Sequence, residues 1–287
     1  MSTVDQVVVV ITGASSGIGR RTALRYSARR ARLVLGARSE DGLRDVADEC
    51  RAAGAADVIV VPTDIGDSEQ VQELFDVAVE AFGRVDVAAQ CAAITAFGRF
   101  EDLPVEVFDA IITTNLIGAA NVARSALTHF QDRGAGQLVL VGSLLGVTAV
   151  PYQSAYVASK FALCGLIRAL RQENRGRPGI RVHGIYPGPV DTPVYHTAGN
   201  YLDGRTPRVP PASDSADTIA TAILKAADET SSSERQVGWA NLPAIAVYRL
   251  MPAVFDAVIG PLVRRVMLTQ EDSADSTGNV FESPRGG

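Results

Sequence analysis

A glycine-rich turn near the start of the chain restricts the fold more than any other feature. The β-branched run Val7-Val8-Val9-Val10-Ile11 leads straight into Thr12-Gly13-Ala14-Ser15-Ser16-Gly17-Ile18-Gly19, and a helical pattern follows from Arg20. Between a first strand and a first helix, Gly13 permits a tight turn, Gly17 lets backbone approach a pyrophosphate, and Gly19 allows close helix–strand packing. The helix N-terminus then faces the phosphates, so Ser15, Ser16 and Ile18 join the candidate contacts. A ligand-free turn is the plain alternative, and the position between strand and helix argues against it.

Further apolar runs at 32–35, 57–61, 85–89, 137–141 and 180–185 are separated by segments long enough for crossover helices. Near-continuous apolar strands suit a parallel sheet covered on both faces, joined by right-handed βαβ crossovers. The predicted class is therefore α/β: a single Rossmann-like, doubly wound parallel sheet with helices on both faces, plus a C-terminal helical extension. Residues 1–240 form the expected dinucleotide-binding and catalytic domain. Within it, 189–212 carry Pro189, Pro193, Pro207, Pro210 and Pro211 among glycines and polar residues, which predicts a long lid without regular elements.

The net charge of −5, from 27 basic and 32 acidic residues spread along the chain, includes no dense basic block, so nucleic acid is not an expected partner. Cys50, Cys91 and Cys164 have no spacing suited to a disulfide framework or a zinc site. With no signal-peptide pattern at the start, the expected location is cytoplasmic.

About twenty residues beyond the turn, a dinucleotide site carries an acid for NAD or a basic residue for NADP. Here the second strand runs out as Leu35-Gly36-Ala37-Arg38-Ser39, with no carboxylate before Glu40. Arg38 can pair with a 2′-phosphate and Ser39 can donate to it, so NADP(H) is the expected cofactor. Ser39 also reads as the N-cap of the next helix, and both roles can hold. Asp64, after the third strand, suits either an adenine contact or a turn.

The most specific constellation is Tyr156 and Lys160, at i and i+4 in a helical stretch, with Ser143 just beyond an apolar strand. Phenol and ammonium can then share one cleft. The spacing predicts that Lys160 lowers the Tyr156 pKa from near 10 towards neutrality, about 4 kcal/mol of relative stabilisation. Tyr156 would exchange a proton with the substrate oxygen while hydride passes to or from a nicotinamide, and Ser143 would hold that oxygen.

These motifs resemble the short-chain dehydrogenase/reductase family: the turn at 12–19, Ser143, Tyr156 and Lys160, the asparagine of Thr114-Asn115-Leu116, and Pro187-Gly188 with Val190 and Thr192. The resemblance spans about residues 5–240. It implies that Asn115 interrupts its helix and anchors a water relaying protons through Lys160, and that Lys160 binds the nicotinamide ribose. It also implies that Val190 and Thr192 touch the carboxamide, that Asp64 and Ile65 touch adenine, and that the chain forms a homodimer or homotetramer. One segment departs from the pattern: Gln90-Cys91-Ala92-Ala93 stands where the family reads Asn-Asn-Ala-Gly. Ala92 remains a cofactor contact, while Ala93 requires a negative φ and Gln90 must supply different side-chain bonds.

Residues 241–272 read as an apolar helical extension broken by Pro243, Pro252 and Pro261, too interrupted for a spanning helix. It could pack over a substrate pocket, form a subunit contact, or make peripheral membrane contact through 241–268 aided by Arg264 and Arg265. Residues 273–287 read as a loose polar tail. The functional expectation is interconversion of a small-molecule ketone or aldehyde and its alcohol, in the reductive direction. A catalytically silent NADPH-binding sensor is the alternative. A serine hydrolase is disfavoured because Gly142-Ser143-Leu144-Leu145-Gly146 lacks the nucleophile-elbow form.

Overall fold

The computed structural model describes residues 6–269 and 274–282. Strands and helices alternate as β1 (Val8–Thr12), α1 (Gly17–Ser27), β2 (Arg32–Ala37), α2 (Glu40–Ala52), β3 (Asp57–Pro62), α3 (Ser68–Phe82) and β4 (Val87–Gln90). A short β5 (Ala96–Gly98) precedes one long helical stretch: α4 (Val105–Ile112), a π-helical turn (Thr113–Gly118) and α5 (Ala119–Arg133). Then come β6 (Gly136–Val141), α6 (Ser154–Glu173), β7 (Ile180–Pro187), β8 (Val190–Asp191), β9 (Gly199–Tyr201), β10 (Asp214–Ser215), α7 (Ala216–Ala227), β11 (Glu234–Val237), α8 (Asn241–Leu250) and α9 (Pro252–Val266).

The main sheet is seven-stranded and parallel, in the order β11-β7-β6-β4-β1-β2-β3. Its direction of winding reverses beside β1 and β4, which opens a crevice at their carboxyl ends. Alternating side chains of the same strands feed opposite layers. Val9, Ile11, Leu33 and Leu35 pack under α1, α2 and α7, whereas Val10, Val34, Leu138 and Leu140 pack against α3, α5 and α6. Local chemistry sets the helix ends: Asp67 accepts from Glu69 N and Gln70 N to start α3, and Gly83 ends it at φ 75°. The stretch Val105–Arg133 is long and apolar enough to cross a membrane by length and composition, but its Val107, Ile111, Val122, Ala126 and Phe130 are buried in the protein.

Three expectations change. The strand β11, polar at Glu234, Arg235 and Gln236, was absent from the apolar runs because it lies at the sheet edge and is only half-buried. The lid at 189–212 contains regular pieces: β8 pairs with β10, β9 pairs with β5, and Pro193–Tyr195 forms a 3₁₀ turn. The tail is docked rather than loose between 274 and 282, with Ser276 bridged to Asn200 and Val280 only 2% exposed. In the extension, Ile259, Val263 and Val266 line a cavity, as the pocket-packing reading requires. Its outward surface leaves Leu242, Leu250, Met251, Val254 and Val258 exposed.

His183 lies buried on β7, between Gln137 Oε1 and Ser233 Oγ at 3.0 Å each. Since Gln137 Oε1 only accepts, Nε2 carries the proton and Nδ1 accepts from Ser233. Burial, with the Arg171, Arg235 and Arg181 cations, pushes its pKa down to about 4. The folded value lies below the unfolded one, so stability contributed by the neutral ring is present above about pH 6.5 and lost as pH falls towards 4. The melting temperature should fall across that window, and the slope should be shallower in His183→Gln; equal slopes would contradict this assignment.

Candidate active site

Gly13 and Gly19 of the first turn pack as closely as their spacing predicts. Gly13 has φ 69°, and a Cβ there would lie 2.6 Å from the N and Cα of Ala92. Gly17 has φ 50° and faces the Thr192 side chain, while a Cβ on Gly19 would collide with the Gly13 carbonyl. Helix α1 begins at Gly17, its first backbone bond running from Arg20 N to Ser16 O at 3.1 Å, and the Ser16 side chain makes no cap. The amides of Gly17, Ile18 and Gly19 therefore precede the helical ladder and suit an anion.

A cavity of about 970 Å³ runs from this turn to the lid. It is lined by every residue assigned to the cofactor from sequence: Gly13, Ser15, Ser16, Gly17, Ile18, Gly19, Arg38, Ser39, Asp64, Ile65, Ala92, Pro187, Gly188, Val190 and Thr192, together with Ser143, Tyr156 and Lys160. The buried Thr12 Oγ1 and Gln90 Oε1, at the ends of β1 and β4, have no hydrogen-bond partner among the described residues. Glycine-lined backbone, a helix N-terminus and a long cavity fit a dinucleotide.

In the departing segment, Gln90 Nε2 donates to Ala92 O at 2.7 Å, closing the loop on itself. Ala93 is not among the described positive-φ residues, so its methyl is accommodated without left-handed strain. Asp64 Oδ1 accepts from Gly66 N at 2.8 Å, which realises the turn role while the residue still lines the cavity. Ser39 caps α2 by accepting from Gly42 N at 3.2 Å and keeps its hydroxyl hydrogen to donate.

Arg38 makes contacts that its sequence position did not foretell. Its guanidinium donates to the carbonyls of Asn279, Val280 and Phe281 at 2.6, 3.0 and 3.3 Å. The missed residue is Asn279, which lines the cavity from the docked tail. Its signal was Thr277-Gly278-Asn279-Val280-Phe281, a turn dipeptide followed by two apolar residues in an otherwise polar stretch.

At the catalytic end, the Ser143 Oγ accepts from Leu145 N at 3.0 Å, which leaves its hydrogen to donate into the cavity. Lys160 is 1% exposed, and its Nζ donates to Val141 O at 3.0 Å, 5.6 Å from the Tyr156 ring centroid. The expected depression of Tyr156 is not found. Burial pushes the phenol up to about 12, with only the Ser143 hydroxyl acting the other way. Burial likewise lowers the Lys160 ammonium to about 8. Desolvation is the largest effect on both groups and favours their uncharged forms, so Tyr156 stays protonated at physiological pH.

Asn115 sits within the π-helical turn, as the expected interruption requires. Its fully buried amide accepts from Ile94 N and donates to Ile94 O, both at 2.9 Å, and to Ser159 Oγ at 3.1 Å. The side chain thus ties the helix to the loop after β4 and does not line the cavity. Tyr195 of the lid does line it, as does Gln153, which the sequence did not single out; Gln153 Nε2 donates to Thr95 Oγ1 at 3.2 Å.

Residues 7–201 match the short chain dehydrogenase family, and the chain belongs to it. The uncharacterized oxidoreductase YxnA of Bacillus subtilis is 35% identical over 265 residues, covering 92% of this chain and 72% of its own. The 11-beta-hydroxysteroid dehydrogenase A of Arachis hypogaea is 37% identical over 199 residues, 69% of this chain and 56% of its own. An alcohol dehydrogenase from Thermococcus sibiricus, complexed with 5-hydroxy-NADP, superposes with TM-score 0.70 at 30% identity, covering 81% of this chain and 96% of that one. The protein is an oxidoreductase with the family's Rossmann-like fold.

A buried ammonium whose hydrogen bond runs to a backbone carbonyl, with no carboxylate in a salt bridge among the described residues, costs stability. Replacing it with the apolar, similarly long side chain of Lys160→Met should raise stability at pH 7 by on the order of 1–2 kcal/mol, seen as a higher melting temperature. A lowered melting temperature would show that the Val141 bond stabilises more than desolvation costs.

Proposed function

We propose that the protein reduces the carbonyl of an apolar ketone or aldehyde, with NADPH as the cofactor. The observation that carries this reading is the placement of Tyr156, Ser143 and Lys160 together in the cavity that the glycine turn opens. A protonated phenol holds the proton that reduction requires, whereas oxidation would ask it to begin as a base.

NADPH, when bound, supplies the hydride. The residues of the chain do the rest. Ser143 donates a hydrogen bond to the carbonyl oxygen, its own acceptor side being engaged by Leu145 N. Tyr156 donates the proton to the developing alkoxide. Lys160 stabilises the phenolate that remains, and α6 keeps the two side chains one turn apart. Asn115 braces this floor through Ile94 and Ser159. Leu144, Leu145, Val150, Tyr195, Ile259 and Val263 give the outer part of the cavity an apolar wall that excludes water and favours an apolar substrate.

Support for NADPH comes from Arg38 and Ser39 without a carboxylate at Ala37, and from the 5-hydroxy-NADP in the Thermococcus relative. Support for an apolar substrate comes from the cavity wall and from the steroid named for the Arachis relative. In titrations followed by dihydronicotinamide fluorescence, NADPH should bind more tightly than NADH. Tyr156→Phe should retain that binding and lose about 10²–10⁴-fold in turnover across a panel of apolar ketones. Turnover by the wild type should decline as pH rises through about 8, because Lys160 is cationic below that value and neutral above it. Tight NADPH binding with equal, negligible turnover in both proteins would instead identify a silent binder.

A further inference from the structure

The tail segment 276–281 joins three parts of the molecule. Asn200 N donates to Ser276 O at 2.7 Å and Ser276 N to Asn200 O at 2.9 Å, so the segment pairs with the lid. Gly278 turns at φ 54°, and Asn279 N donates to Thr197 O at 2.7 Å. Val280 is then buried with Ile94, Ala96, Val107 and Ile111, next to the loop that follows β4. Beyond the turn, the carbonyls of Asn279, Val280 and Phe281 converge on Arg38.

The atoms used on Arg38 decide what it can still do. Nη1 serves Val280 and Phe281, and Nη2 serves Asn279, so Nε and the second Nη2 hydrogen remain. Nε and Nη2 share one edge of the guanidinium, the edge that matches the bidentate geometry of a phosphate. A long side chain clamped at its tip has already given up the rotamer freedom that binding would otherwise cost. Asn279 adds a second observation: its Oδ1 is shielded from solvent and has no hydrogen-bond partner among the described residues, on a residue that lines the cavity. An orphaned buried acceptor of that kind is suited to a ligand donor.

We propose that segment 276–281 belongs to the cofactor site. Its carbonyls set Arg38 for the 2′-phosphate, and the Asn279 amide oxygen accepts from an amino or hydroxyl group of the adenosine. This rests on the NADPH reading above, and it makes the C-terminal tail a determinant of cofactor selectivity.

Gly278→Val offers a way to dislodge the segment, because a side chain there meets the carbonyls of Thr197 and Ala198 at a positive φ. Dissociation constants for NADPH and NADH should be measured for the full-length wild type, Arg38→Ala, Gly278→Val, their double variant and Asn279→Ala, with melting curves to verify folding. Arg38→Ala should weaken NADPH at least tenfold and leave NADH little changed. Gly278→Val should reproduce that selective loss, and the double variant should add no further selectivity loss. Asn279→Ala should weaken both cofactors by a similar, several-fold factor. In the wild type, NADPH should slow amide exchange at Ser276 and Asn279 more than NADH does, a readout that stands even if Gly278→Val fails to fold.

Tighter or unchanged NADPH binding in folded Gly278→Val, or faster exchange at Ser276 and Asn279 on adding NADPH, would overturn the proposal and mark the tail as a competitor or bystander. If Arg38→Ala itself fails to discriminate between the cofactors, the NADPH reading falls and this proposal falls with it. A selective Arg38→Ala beside an unselective Gly278→Val removes the tail's role alone.

Discussion

The bond from the buried Lys160 ammonium to the Val141 carbonyl is the contact on which the rest of the site depends. It pins α6 to the carboxyl end of β6, where Ser143 begins the next turn, and so fixes Tyr156 over the crevice. An ammonium removed from water demands a partner, and the end of a strand offers a carbonyl to supply it. The same burial keeps Tyr156 protonated and brings Lys160 within reach of losing its proton. Stability is given up here for chemistry, a balance typical of functional sites.

A second constraint operates at the other end of the crevice. Gly13 approaches Ala92 so closely, and Gly19 approaches Gly13 so closely, that β1, α1 and the loop after β4 form one continuous floor. That floor tolerates Gln90-Cys91-Ala92-Ala93 because Gln90 bonds within its own loop and Asn115 grips Ile94 from below. Asn115 therefore works as a brace between the π-helical turn and the cofactor floor. The tail adds a roof, since it reaches both the lid and Arg38.

Much of this was legible in the chain. The alternation of apolar runs and helical segments announced the parallel sheet, with strand ends displaced by only a few residues. The glycine turn, Ser143, Tyr156 and Lys160 were readable because their spacing follows from strand and helix geometry. The edge strand β11 was not, since a half-buried strand of Glu, Arg and Gln carries no apolar signature. The tail was misread for a related reason: a single apolar residue, Val280, anchors it, and its main bonds come from backbone carbonyls that every residue possesses.

By itself, then, the order of residues determined which side chains face one crevice, because helical and strand periodicities are local properties. Only the folded chain decided their charge states and their partners. Whether Lys160 lowers the Tyr156 pKa depends on how much water each loses and how far apart they settle. Whether Arg38 stands free depends on a segment some 240 residues away in the chain. Such quantities arise from long-range packing, and no local pattern encodes them.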